Sequence, residues 1–284
     1  MSVRSQLRAL LAGPPFIAAD CYSALTARII EDVGFPAAYM GGHATGMMHY
    51  AIPDNGALTP TEMIDQAGRV AEAVDIPVIV DADQAGESVA DVYRSIRLYG
   101  RAGVAGVHIE DEIPPKHSAW DGPLLPIADM QARIRAATDG RVDDDFLIIV
   151  RSDELYDVGG GGTGSLDEAI RRGVAYAEAG ADVYLPTMAT AEQVAAIAAK
   201  VPIPIAAYGT PVPGLAFTLS TGWGTASAAR LHRQWATELM RNGELPPEAF
   251  EFPGKPEAIR QADHDRVVEA WAMSTGRPLR PPAS

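Results

Sequence analysis

The chain has 284 residues, of which 47% are apolar and 21% charged, a composition typical of a folded globular protein. Its formal charge of −14 argues against nucleic acid as the main partner, because phosphate binding needs clustered cations. The single cysteine, Cys21, excludes an intramolecular disulfide and suits a reducing cytoplasm. The N-terminal segment lacks the apolar run of a signal peptide, and no long uninterrupted apolar stretch predicts a membrane span.

Short apolar or β-branched runs alternate along the chain with longer stretches of helical period. The predicted strands are Phe16–Ala19, Ala37–Met40, Pro77–Val80, Gly106–Ile109, Phe146–Val150, Asp182–Leu185, Ile203–Ala207 and Leu215–Leu219. The predicted helices between them are Ser23–Val33, Pro60–Val74, Ser88–Ala102, Ile127–Ala137, Leu166–Ala179 and Ala191–Ala199. Helices at Thr225–Met240 and Pro256–Met273 are predicted to form a C-terminal extension over about residues 225–274.

The strands are nearly unbroken apolar runs, which is typical of a parallel sheet covered on both faces. Eight strands alternating with helices predict a (β/α)₈ TIM barrel, with residues 1–284 as one domain. Pro60 stands at a first helical position, and Gly34 and Gly180 stand where left-handed helix ends belong. Only Tyr208–Gly214 separates the last two strands. Either the barrel lacks a helix there or the last strand is misplaced.

Carboxylates gather where the predicted strands end. Strand three ends in Asp81-Ala82-Asp83, strand four in Glu110-Asp111-Glu112, and the loop after strand two carries Asp54. Active sites of such barrels form at this end. A single Asp after a strand is more often a helix cap or turn former, but independent caps need not all fall at strand ends. Because clustered carboxylates repel one another and an all-oxygen set selects a hard cation, the pattern favours a site for a hard divalent cation such as Mg²⁺.

Arg151 follows the apolar run of strand five. An arginine there either pairs with a neighbouring carboxylate or binds an anionic substrate. With acidic neighbours both roles are possible, and we favour a substrate carboxylate.

Several of these motifs resemble the isocitrate lyase/phosphoenolpyruvate mutase superfamily over roughly residues 5–200. They fall in order and at matching spacing: Tyr22-Ser23-Ala24-Leu25-Thr26-Ala27-Arg28, Pro53-Asp54, Asp81-Ala82-Asp83, Ile109-Glu110-Asp111, Pro115-Lys116 and Val150-Arg151-Ser152-Asp153. The superfamily includes methylisocitrate lyase, dimethylmalate lyase, oxaloacetate decarboxylase, phosphonopyruvate hydrolase and the mutase. The paired acidic motifs at this separation are fairly specific, whereas each alone is weak.

The resemblance implies a site for Mg²⁺, with Mn²⁺ as an alternative, in which Asp83 binds directly and Asp54, Asp81 and Glu110 act mainly through water. It also implies contacts with a small carboxylate substrate, from the segment Gly41-Gly42-His43 and from Asp81, Arg151 and Thr187. Members typically form tetramers, as dimers of dimers, whose pairs exchange the last barrel helix. The C-terminal helices of this chain are therefore expected at a subunit interface.

The loop expected to close over the site departs from the lyase pattern. Lyases that split methylisocitrate carry Lys-(Lys/Arg)-Cys-Gly-His, whereas this chain reads Lys116-His117-Ser118-Ala119-Trp120. A serine hydroxyl is a far weaker acid than the thiol that it replaces as proton donor. Lys116, His117 and Ser118 are the candidates for loop contacts or proton transfer, although a loop histidine equally often faces solvent.

Other departures bear on the substrate. Pro115–Gly122 also resembles the loop of the phosphonate enzymes, but those carry Trp where this chain has Met40 and His where it has Thr187. The segment Gln84–Ser88 alters a pocket wall, and Tyr208-Gly209 is similar to the decarboxylase branch. We predict C–C bond cleavage of a small 2-oxo or 2-hydroxy dicarboxylate through an enolate. The alternatives are C–P chemistry and a non-catalytic metabolite-binding barrel.

Overall fold

The computed structural model describes residues 1–120, 122–156, 161–209 and 211–277. The chain divides into two compact units, residues 1–230 and 231–284. This division does not test the single-domain prediction. Within the described residues, no helix is both long enough and apolar enough to cross a membrane.

The first unit contains eight parallel strands. They are β1 (Phe16–Cys21), β2 (Ala37–Met40), β3 (Val78–Asp81), β4 (Gly106–Glu110), β5 (Leu147–Ser152), β6 (Val183–Pro186), β7 (Ala206–Tyr208) and β8 (Phe217–Ser220). Neighbouring strands pair in the order β6-β5-β4-β3-β2-β1-β8-β7. An isolated parallel bridge between Tyr184 and Ile205 joins the two ends of this sheet. The prediction of a (β/α)₈ barrel is confirmed.

The described residues also form a set of helices, the last of which belong to the second unit. They are α1 (Val3–Leu11), α2 (Ala24–Val33), α3 (Gly42–Thr45), α4 (Pro60–Ala73), α5 (Val89–Arg101), α6 (Ile127–Asp139), α7 (Leu166–Glu178), α8 (Ala191–Ala198), α9 (Trp223–Asn242), α10 (Lys255–Ala258) and α11 (Gln261–Thr275). A π-helical turn covers Gly46–Tyr50, and a 3₁₀ turn covers Pro247–Phe250. The predicted helix ends hold: Thr59 and Glu62 form a reciprocal cap around Pro60, and Gly34 has a φ of 99°.

The predicted last strands were placed slightly too early. β7 begins at Ala206 rather than Ile203, because Pro204 has no N–H to donate to a strand ladder. Between β7 and β8, the described residues 209 and 211–216 form no helix. The barrel therefore lacks this crossover helix. The predicted helix Pro256–Met273 is wrong as one element, since Arg260 adopts a left-handed φ of 49° and separates α10 from α11.

Strand residues alternate between two apolar cores. Inward-facing side chains such as Phe16, Ile79 and Phe217 fill the barrel interior, and outward-facing ones pack beneath the helices. Helix α1, which was not predicted, covers the end where the strands begin. Its Leu7 is buried in the interior cluster, and Arg8 forms an ion pair of 2.8 Å with Asp182.

The second unit contains the last part of α9, the 3₁₀ turn, α10 and α11. Its helices carry a set of large apolar side chains that are exposed in this chain. These are Leu231, Leu239, Met240, Val267, Val268, Trp271 and Met273.

Candidate active site

Inward-facing residues change from apolar to charged toward the end where the strands finish. Asp81 on β3, His108 and Glu110 on β4, and Arg151 on β5 are all buried there. Because side chains of a strand alternate between its two faces, His108 and Glu110 point to the same side. The parallel barrel thus brings these groups together at one end, as the sequence predicted for the acidic residues.

Lys116 lies at the middle of what we call the carboxylate centre, which comprises Asp54, Asp83 and Glu110. Its Nζ is 2.5 Å from Asp83 Oδ1, 2.7 Å from Glu110 Oε1 and 3.8 Å from Asp54 Oδ1. Burial lowers the pKa of Lys116, but the Glu110 and Asp83 carboxylates outweigh it, so the net pKa lies well above its usual value. Burial also raises the pKa of Asp83 to about 7, although Lys116 opposes that shift.

Asp81 holds two loops in place beside the carboxylate centre. Its Oδ2 accepts a hydrogen bond of 3.0 Å from the backbone N–H of Gly42, and its Oδ1 accepts one of 3.0 Å from that of Asp83. A Cβ at position 42 would lie 3.1 Å from Asp81 Oδ2, so glycine permits this close approach. Burial opposes ionisation of Asp81, but His108, Lys116 and Arg151 hold its pKa below its usual range.

Arg151 is held by carboxylates. Its Nε and Nη2 donate to the two oxygens of Asp153, each at 2.6 Å, and its Nη1 lies 2.9 Å from Glu110 Oε2. The Thr187 hydroxyl accepts a further bond from Nε at 3.1 Å. Of the two roles considered for Arg151, carboxylate pairing is therefore present, and the substrate-binding role stays a prediction.

The loop after β4 carries the three candidates for loop contacts or proton transfer, and two of them, Lys116 and His117, lie at the site. His117 lies with Nδ1 3.1 Å from the Asp54 carbonyl oxygen and Nε2 3.6 Å from Glu112 Oε2. Hydrogen bonding to Asp54 raises the pKa of His117. Ser118 is instead exposed, and its hydroxyl donates to the Pro115 carbonyl at 2.8 Å. The structure therefore does not bring Ser118 to the carboxylate centre, and Asp121 of the same loop lies outside the described residues.

His43 lies at the edge of the site rather than in it. Its Nδ1 is 3.9 Å from Asp54 Oδ2, and 47% of its side chain is exposed. His43, Asp54 and His117, together with Met47 and Ile52, line a cavity of about 660 Å³ beside the carboxylate centre. Gly41 precedes α3 at the end of β2, where its absent Cβ would crowd the ring of Tyr39. A small substrate fits a cavity of this size.

A buried polar network lies beside the carboxylates, and its central residue, His108, was not predicted from the sequence. The Tyr39 hydroxyl is 2.9 Å from His108 Nε2, the Tyr208 hydroxyl is 3.4 Å from the same nitrogen, and Asp81 Oδ1 is 3.5 Å from it. Burial lowers the pKa of His108, which favours a neutral imidazole. Its position two residues before Glu110 was the available signal, because strand alternation puts both inside the barrel.

The three acidic residues that follow β4 have different environments. Glu110 reaches the carboxylate centre, whereas Asp111 points outward into a structural network. It accepts hydrogen bonds from Ser152 at 2.8 Å, Arg172 at 3.0 Å and Tyr176 at 2.7 Å. Glu112 is next to Arg151, with Oε2 3.6 Å from Nη2. The alternation of side chains along β4 therefore sends Glu110 and Asp111 to different environments.

The donor set fits a hard divalent cation. Ligand atoms of Asp81, His108 and Glu110 lie within 4.8 Å of one another, and Asp83 adds a carboxylate beside them. Carboxylate oxygens are the ligands that Mg²⁺ takes in proteins. The ammonium of Lys116 and the guanidinium of Arg151 balance part of the buried negative charge. The four acidic residues predicted as metal ligands, Asp54, Asp81, Asp83 and Glu110, therefore lie close together.

Known proteins are similar to this chain in sequence. The phosphoenolpyruvate phosphomutase family matches residues 7–231. A 2,3-dimethylmalate lyase of Eubacterium barkeri is 38% identical over 64% of this chain, and the match spans 62% of that relative's length. An oxaloacetate decarboxylase of Rhodopseudomonas palustris is 35% identical, with 80% of this chain and 76% of the relative covered.

Solved structures agree with these sequence matches. An oxaloacetate acetylhydrolase with the inhibitor 3,3-difluorooxalacetate superposes with a TM-score of 0.83 and 26% identity, covering 98% of this chain and 99% of that one. A phosphonopyruvate hydrolase complex with oxalate and Mg²⁺ gives a TM-score of 0.82 and 27% identity, with coverages of 95% and 99%. The chain therefore belongs to the phosphoenolpyruvate phosphomutase family, within the PEP mutase/isocitrate lyase superfamily.

Proposed function

We propose that this protein is a Mg²⁺-dependent lyase that cleaves a C–C bond of a small 2-oxo or 2-hydroxy dicarboxylate. The observation that carries this proposal is the carboxylate centre, whose three acidic residues surround the loop lysine Lys116 and lie beside Arg151. Relatives named for 2,3-dimethylmalate and oxaloacetate support the substrate class. Decarboxylation and retro-aldol cleavage are both consistent with this site.

Asp83 would hold the metal directly, with Asp54, Asp81 and Glu110 around it, and Mn²⁺ could replace Mg²⁺. When bound, the ion supplies a preplaced positive charge that stabilises the negative charge developing on an oxygen next to the broken bond. Asp81 keeps the Gly42 and Asp83 backbones fixed while this happens. Such preorganisation avoids rearrangement during the reaction.

Protein groups around the centre would orient the substrate. Arg151 can hold a carboxylate with N–H groups that face the centre, while Asp153 and Thr187 fix its guanidinium plane. The segment Gly41-Gly42-His43 follows β2, and the backbone N–H groups of Gly41 and His43 would contact a substrate oxygen. Lys116 and His117 belong to the same loop, so its closure would exclude water and strengthen these contacts.

We assign the proton transfer to His117 rather than to Ser118. The His117 imidazole lies between Asp54 and Glu112, and its pKa is raised, so a larger fraction carries a proton at neutral pH. The Ser118 hydroxyl is used within its own loop. A protonated imidazole is also a much stronger acid than an alcohol.

Turnover assays on metal-depleted protein test this function. Oxaloacetate, 2,3-dimethylmalate and phosphonopyruvate are each assayed with and without Mg²⁺. Pyruvate with CO₂ identifies decarboxylation, and a second carbonyl product identifies retro-aldol cleavage. The proposal fails if neither dicarboxylate is cleaved, or if cleavage does not depend on the metal.

Carbon–phosphorus chemistry is the second candidate, because the phosphonopyruvate hydrolase and phosphoenolpyruvate phosphomutase structures are close in fold. Met40 and Thr187 argue against it, since they replace the aromatic and histidine residues of the phosphonate enzymes. Phosphate release from phosphonopyruvate would select this alternative. Mg²⁺ binding without turnover of any substrate would select the non-catalytic barrel.

We further propose that the protein is a cytoplasmic homotetramer, a dimer of dimers that exchanges C-terminal helices. The exposed apolar side chains of α9 and α11 support this assembly, because large exposed patches mark interaction sites. Sedimentation analysis tests it. Val267→Glu with Trp271→Glu should reduce the assembled mass, whereas changes at the exposed Val33 should leave it unchanged.

A further inference from the structure

A second cavity, of about 470 Å³, lies on the side of Asp83 that faces the outer helices. The start of α4, the loop from β3 to α5, and Tyr99 of α5 form its walls. Most of the lining side chains are apolar, and they are Leu58, Pro60, Met63, Ala82, Ala85, Ile113 and Pro114. Thr59 and Glu87 are exposed at its rim, whereas Tyr99 and Ala85 are fully buried.

The Tyr99 hydroxyl is the feature of this cavity that points to a ligand. Tyr99 is 0% exposed and lines the cavity, and its hydroxyl has no hydrogen-bond partner among the described residues. Leaving a buried hydroxyl unpaired costs free energy, so such groups normally have a partner. Because the hydroxyl has no accessible surface in this structure, a molecule that offers an acceptor oxygen inside the cavity would supply this partner after a small shift of the Tyr99 ring.

The charged groups of the lining favour a neutral molecule. Arg133 is committed to the wall: its Nη1 donates to the carbonyl oxygens of Gln84, at 3.2 Å, and Gly86, at 2.7 Å, and its Nη2 donates to that of Glu87. Asp83 presents a carboxylate on another side. With the cation already used by three carbonyls and an acidic group nearby, an anion would be poorly stabilised here.

The wall of this cavity is also where the sequence departs from the superfamily pattern. Gln84–Ser88 forms the loop, and its backbone is sharply bent, with left-handed φ values of 57° at Ala85 and 120° at Gly86. At Gly86 a Cβ would lie 2.4 Å from the Cβ of Asp91, so only glycine fits. The altered segment is therefore a defined wall that is anchored by Arg133.

We propose that this cavity binds a compact neutral group that has an apolar body and one hydrogen-bond-accepting oxygen, which the Tyr99 hydroxyl contacts. Two sources can provide this chemistry. One is an uncharged arm of the substrate, since Asp83 borders both this cavity and the carboxylate centre. The other is a separate small molecule. The cavity is defined by its own residues, and only the first of these two sources rests on the proposed function.

A binding titration with 4-fluorobenzyl alcohol, followed by ¹⁹F NMR, tests the site. We expect saturable binding to the unmodified protein. Tyr99→Phe should weaken it about three- to tenfold, the loss that one hydrogen bond accounts for. Leu58→Trp should abolish it by filling the cavity. Tyr93→Phe removes an exposed hydroxyl from the same helix and should have no effect.

Competition experiments then distinguish the two sources. Displacement of the probe by a 2-alkylmalate whose alkyl arm ends in a hydroxyl, but not by malate, identifies a substrate arm, and displacement by neither identifies a separate ligand. Three results overturn the proposal: no saturable binding, unchanged binding in both Tyr99→Phe and Leu58→Trp, or displacement by malate, which would put the probe in the carboxylate centre. The titration needs no turnover. The binding results can therefore be interpreted even if the protein does not have the proposed lyase activity.

Discussion

The two ends of the barrel interior are built on the same strands but serve different purposes. Where the strands begin, Phe16 and Phe217 stack with ring centroids 5.2 Å apart, and Leu7 of α1 is buried with them. Where the strands finish, Asp81, Glu110 and their neighbours bury several charges. Burial of apolar area stabilises the fold, whereas burial of charge costs free energy even when the charges are paired. The buried charges at this end therefore indicate a role in binding or catalysis, because they do not stabilise the fold.

The largest expected effect is on activity at the charged end. Asp83→Asn keeps the shape of the side chain but removes a metal-binding charge, so kcat/KM should fall about 10³-fold. Its free energy of unfolding should fall only modestly, because Lys116 loses one carboxylate partner but keeps Glu110 at 2.7 Å. Steady-state kinetics and urea unfolding measure the two quantities. Asp65→Asn changes an exposed carboxylate and serves as the control; full activity of the Asp83 variant would disprove the assignment.

The matching change at the apolar end should reduce stability only. Leu7→Ala leaves a cavity between α1 and the barrel, so the free energy of unfolding should fall by about 3 kcal/mol. The kcat of the folded protein should stay the same. Val33→Ala alters an exposed side chain and should change stability by less than about 0.5 kcal/mol. A loss of kcat in the Leu7 variant would show that the two ends are coupled.

His108 lies between the two ends and should behave as a positioning residue. His108→Asn removes the nitrogen that faces the Tyr39 hydroxyl and Asp81, so kcat should fall about ten- to a hundredfold, with KM little changed. The combination with Tyr39→Phe should be less than additive, because both changes break one network. Additive losses would show that His108 acts separately from Tyr39.

Asp20 lies at an inward-facing position of β1. The pH dependence of the free energy of unfolding should show what it costs to bury its charge. Burial raises its pKa from 3.8 to about 6, so the folded state keeps a proton that the unfolded chain releases. Its contribution to the free energy of unfolding therefore declines as pH rises from about 4 to about 6, and then stays constant. Relative to the unmodified protein, Asp20→Asn should gain stability across this window. Unfolding series at several pH values measure it, and a pH-independent difference would contradict it.

The smallest effect is expected at Ser118, whose neighbour His117 provides the contrast. Ser118→Ala should change kcat/KM less than about twofold, because its hydroxyl is bonded within the loop. His117→Gln, one residue away, should reduce kcat about a hundredfold if its imidazole transfers the proton. Measuring both variants with the same substrate compares the two candidates directly. The reverse order of effects would restore Ser118 as the proton donor.

The sequence by itself determined the order of strands and helices and the end of the barrel at which the carboxylates meet. These features follow from local patterns, because apolar runs, helix caps such as Thr59 with Glu62, and acidic residues after strands all occur within a few residues of one another. Strand alternation would also have placed His108 beside Glu110. Helix α1 was not predicted from the sequence, although its Leu7 packs into the interior of the barrel.

Only the tertiary structure decided which partners the charged groups take. Arg151 bonds to Asp153 and Glu110, Lys116 reaches into the carboxylate centre, and Ser118 turns away from it. The Tyr99 hydroxyl, which has no hydrogen-bond partner among the described residues, lines a cavity whose walls come from the segments that follow β2, β3 and β4. Such contacts join residues far apart in the chain through loop conformations, which the local preferences of amino acids leave open.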